Sequence, residues 1–94
     1  MEKQIDLTVN NNEFNFTVEL GDFHSFINEM GDNNKVQPAY AFVTRTIKHD
    51  QKDQLIKLIN DNPGLELELA GALVTEYKPK VSVIVGKPKA AASK

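Results

Sequence analysis

No cysteine occurs anywhere in the 94 residues, which excludes a disulfide framework and a thiolate metal site and gives no sign of an oxidising compartment. No apolar run approaches the roughly 20 residues of a membrane helix. Met1-Glu2-Lys3-Gln4 leads into an alternating stretch rather than a signal-peptide core, so the expected location is the cytoplasm. The chain also lacks the G-x-S-x-G context of an exposed serine nucleophile and any G-x-G-x-x-G or Walker-type loop for phosphates. His24 and His49 are far apart, and neither has a cysteine or close histidine partner. His49, Asp50 and Asp53 read as helix-start caps and solvated charges rather than as a metal shell. No catalytic residue, metal site or cofactor is expected, and the chain reads as a non-enzyme.

Acidic residues are missing from one end. All 13 lie at or before Glu76, whereas five of the 11 basic residues follow it. Residues 1–77 therefore carry six basic against 13 acidic side chains, a charge of −7, and residues 78–94 carry +5. An acidic body repels a phosphate backbone, so nucleic acid is a poor partner for most of the surface. Ninety-four residues with 40% hydrophobic content support one modest core, whose small margin makes self-association a natural source of added stability. A single domain over 1–86 is expected, with 87–94 a flexible lysine-containing tail too poor in apolar groups to offset the entropy of ordering it.

Within that domain, Ile5, Leu7 and Val9 alternate with Gln4, Asp6 and Thr8, the period of a half-buried strand. After Asn10-Asn11-Asn12 the alternation resumes through Phe14, Phe16, Val18 and Leu20, predicting a hairpin over the first twenty residues. Gly21 breaks it, and Asp22 is placed to cap a helix carrying Phe23, Phe26, Ile27 and Met30. A second helix is predicted from about Pro38 to Lys48, with Ala39, Tyr40, Phe42, Val43 and Ile47 inward. Asp50 and Asp53 are expected to open a third, ended by Asn62-Pro63-Gly64.

From Leu65 the leucines at 65, 67 and 69 alternate like a strand, while Leu65, Leu69, Ala72 and Leu73 share a helix face. Length, alanines and glutamates favour helix to Tyr77, despite Gly71. The β-branched run Val81–Val85 is expected to add a strand to the hairpin. The fold class is α+β: a hairpin, joined by a C-terminal strand, packed on three to four short helices.

Asn34-Lys35-Val36-Gln37-Pro38-Ala39 is the most individual segment, combining an ammonium, amides and a rigid helix start; it reads either as a recognition loop or as a loop-to-helix junction. Together with the hairpin and first helix, the pattern Asn33-Asn34-Lys35-Val36-x-Pro38-Ala39, then Phe42-x-x-Arg45-Thr46, resembles a family of phage tail assembly chaperones. The likeness extends over most of 3–86 and includes Gly71-Ala72 and Glu76-Tyr77.

The resemblance implies a non-enzymatic protein of the bacterial host cytoplasm that binds the tape measure protein, helps to recruit tail tube protein and needs no cofactor. It also implies Asn34, Lys35, Val36, Pro38 and Arg45 as protein-binding positions, with Arg45 forking onto a carboxylate of its own fold or of a partner. Two alternatives stand beside it: a structural virion component such as a tail terminator or head–tail connector, and a small regulatory protein using Lys78–Lys94 on nucleic acid.

Overall fold

A computed structural model describes residues 2–79 and 81–86. The order is strand β1 (Lys3–Val9), strand β2 (Asn12–Val18), helix α1 (Leu20–Glu29), helix α2 (Val36–Thr46), a 3-10 turn (His49–Gln51), helix α3 (Lys52–Asp61) and helix α4 (Leu65–Tyr77). The α+β class, the hairpin and all four helices are as the residue pattern predicts.

β1 and β2 pair antiparallel from Lys3↔Val18 to Val9↔Asn12. The two-residue loop between them holds Asn10 at φ 50° and Asn11 at φ 69°, the left-handed pair that a type I′ turn demands and that asparagine tolerates better than other residues with a Cβ. This turn sets the register, and the register puts Phe14, Phe16 and Val18 on one fully buried face of β2, beside buried Ile5.

Helices cover that face. α2 packs against β2, α1 and α4, while α4 lies along β1. Buried Ala39, Phe42 and Val43 of α2 meet Leu55 and Ile59 of α3 and Leu69, Ala70, Leu73 and Tyr77 of α4 in one core. Phe26 stacks on Phe42 with ring centroids 4.8 Å apart. Thr46, also buried, gives its hydroxyl hydrogen to Phe42 O at 2.9 Å, so its polarity is satisfied within the helix. Glu66 is buried in the first turn of α4, where the partial positive charge of a helix N-terminus favours a carboxylate. Its Oε1 meets no hydrogen-bond donor among the described residues.

Four local expectations change. Leu20 is not a strand residue facing the core: it begins α1 and is exposed. Glu19 occupies the N-cap position and Asp22 the third helical one, where its Oδ2 accepts the Glu19 N–H at 3.0 Å, the returning half of a capping box. α2 starts two residues before Pro38 and ends at Thr46 rather than Lys48; Pro38 still lies in the first turn, whose N–H groups have no intrahelical acceptor. Gln51, not Asp50, precedes α3, because residues 49–51 first make a 3-10 turn.

The largest correction is the C-terminal strand. The sheet has two strands, and Val81–Gly86 carries no regular structure and is exposed throughout. Lys3 Nζ donates to Glu76 O, which puts the end of α4 beside the start of β1. β-branched composition marks a segment fit for a pleated surface, but it does not bring one within reach. The tail 87–94 lies outside the described residues. Among those described, no helix is long and apolar enough to cross a membrane.

Candidate protein-binding surfaces

The segment singled out in the sequence forms the corner between α1 and α2. Gly31 N–H donates to Asn34 O at 3.1 Å and Asn34 N–H returns to Gly31 O at 3.3 Å, closing a tight turn. Lys35 follows at the N-cap position, with its carbonyl accepting the Ala39 N–H at 3.2 Å. Its side chain edges a small depression with Met30, Gly31 and Asp32. Val36, the first residue of α2, is 53% exposed, and Ile27 on α1 and Met30 at its C-cap are exposed too. Pro38 is buried and sits behind this corner.

Arg45 is elsewhere. It lies ten positions along from Lys35, about 15 Å at 1.5 Å per residue. Its Nε donates to Asp22 Oδ1 at 2.9 Å and its Nη2 to Asp22 O at 3.3 Å. Asp22 thus uses one carboxylate oxygen to cap α1 and the other to hold α2. Arg45 forks onto its own fold, along one wall of a groove of 820 Å³ that also meets Gln4, Asp6, Thr17 and Lys48.

A third surface was missed in the sequence. Between β1 and α4 runs a groove of 800 Å³ lined by Asp6, Leu7, Leu67, Glu68, Gly71, Ala72, Thr75 and Glu76. Its floor is small and apolar, since Gly71 has open space where a side chain would stand and Leu67 is 42% exposed. Its rim is acidic. The signal for it was Leu67 itself, the one leucine off the buried face of the helix.

The two sheet edges bordering these surfaces differ. The outer edge of β2 is covered: Phe16 bridges to Ile47, Lys48 N–H donates to Asn15 O at 2.8 Å, and Asn15 N–H donates to Gln51 Oε1 at 2.8 Å. Among the described residues, no backbone group pairs with the outer edge of β1. No cluster of three or more His, Asp or Glu residues suited to a metal ion occurs among them either.

A family model described as phage tail assembly chaperone matches residues 5–87. The chain belongs to this family. The match takes in the α1–α2 corner, the β1–α4 groove and the exposed valine-rich segment. Among curated proteins, a relative described as an uncharacterized 11.3 kDa protein in the lys 3′ region of Haemophilus phage HP1 (strain HP1c1) is 24% identical over 85 residues, covering 90% of this chain and 82% of the relative. No solved structure matches the chain. Membership in an assembly chaperone family fits exposed docking surfaces rather than an enclosed reacting centre.

Proposed function

We propose that this tail assembly chaperone binds the tape measure protein and keeps that long chain soluble while tail tube protein assembles around it, without turnover. Family membership over residues 5–87 carries the reading. The surface that supports it is the α1–α2 corner, where Met30 and Lys35 edge one depression and Ile27, Met30 and Val36 are exposed. Apolar side chains grouped at one place on a small soluble protein suit an amphipathic partner segment. In this reading Lys35 and Val36 make contact, Asn34 fixes the turn that presents them, Pro38 anchors the start of α2, and Arg45 holds α1 in place through Asp22.

The work is done by mass action. Binding an extended, partly apolar polypeptide lowers its free concentration, and with it the rate of wrong pairings. Co-expression tests the proposal: the tape measure protein encoded with this chain should move into the soluble fraction and co-purify with it. If the tape measure protein stays equally insoluble with and without the chain, the proposal fails.

A further inference from the structure

We propose that the open edge of β1 and the groove between β1 and α4 receive residues 81–85 of a second copy of this chain as an added strand. Three independent observations lead there. The first is an unpaired edge: among the described residues β2 is covered on its outer side while β1 is not, and an uncovered strand edge is a template for pairing with another chain.

The second is an unpartnered strand former in the same molecule. Val81, Val83, Ile84 and Val85 are between 68% and 85% exposed, and four β-branched residues in a run of five strongly suit a pleated ladder. Five residues extend about 17 Å and the seven of β1 about 23 Å, so the segment fits along the edge. In its own chain the segment joins no sheet among the described residues, so its ladder groups are free for a neighbouring copy.

The third is charge. Asp6, Glu68 and Glu76 rim the groove, while Lys78, Lys80 and Lys87 flank the valine run. With Val81, Val83 and Val85 turned toward Leu7, Leu67, Gly71 and Ala72, apolar groups fill the floor and ammonium groups approach the acidic rim. Because each copy offers one segment and one edge, the contact can either close into a dimer or repeat along a row.

The test uses the full chain alone and so stands apart from tape measure binding. The absence of cysteine lets two single variants be mixed: Asp6→Cys on the solvent face of β1, with Ser82→Cys or Ile84→Cys on the solvent face of the added strand. Under mild oxidation the mixture should give a disulfide joining one chain of each kind. Light scattering across a concentration series should show self-association, and Val83→Pro, which removes a ladder N–H, should weaken it by roughly tenfold or more while the helical circular dichroism is kept. A monomer at every concentration, self-association unchanged by Val83→Pro, or, in the double variant Asp6→Cys/Ser82→Cys, a disulfide formed within one chain would each overturn the proposal.

Discussion

Asp22 and Arg45 show how much one side chain can be asked to do. The Asp22 carboxylate accepts the Glu19 N–H at the start of α1 and the Arg45 Nε from α2. The pair is partly exposed, with side-chain exposures of 40% for Arg45 and 21% for Asp22, so solvent screens it and the bridge alone contributes under about 1 kcal/mol. Removing Asp22 also removes the capping contact. Arg45→Ala is therefore expected to cost less than about 1 kcal/mol and Asp22→Ala about 1–2 kcal/mol. Chemical denaturation of both variants and the double variant should give a coupling of about 0.5 kcal/mol. Equal losses from the two single changes would contradict the dual role. The residue types made a forked Arg45 contact and an Asp22 helix start legible separately. That they are the same contact was not, because it joins positions 23 residues apart through the packing of α1 on α2.

At the scale of elements, the segments with strong periodicity were readable and their ends were not. Alternation in 4–9 and 13–18 defined the hairpin, and the length, alanines and glutamates of 65–77 decided α4 against a strand where the leucine spacing allowed both. Boundaries moved where a side chain competed for a backbone group: Glu19 and Asp22 start α1 earlier than Gly21 suggests, and Gln51 is drawn to the β2 edge ahead of α3. The turn at Asn10-Asn11 offers a test of the hairpin. Asn11 holds φ 69°, a region in which glycine has no Cβ penalty. Asn11→Gly should stabilise the protein by a few tenths to about 1 kcal/mol, read as a higher urea midpoint with the slope unchanged. A lower midpoint would contradict a type I′ turn. The valine run failed as an intramolecular strand because β-branched composition marks a segment fit for a pleated surface without bringing it to one.

On the scale of the whole molecule, the acidic body expected from the sequence now has a place: carboxylates rim the β1–α4 groove. The α1–α2 corner lies on different elements, so copies joined through β1 would each still present Lys35 and Val36 to an extended partner. The central claim is that this corner binds the tape measure protein, and the affinity of its variants tests it most directly. Lys35→Ala combined with Val36→Asp should leave the fold intact, since an acid in the first turn of α2 is favoured by the helix dipole. Measured by titration calorimetry, the double variant should bind the tape measure protein at least about tenfold more weakly than the unsubstituted chain, with Gln54→Ala on the exposed face of α3 unchanged and all three melting alike. A double variant that binds as tightly as the unsubstituted chain would contradict the account.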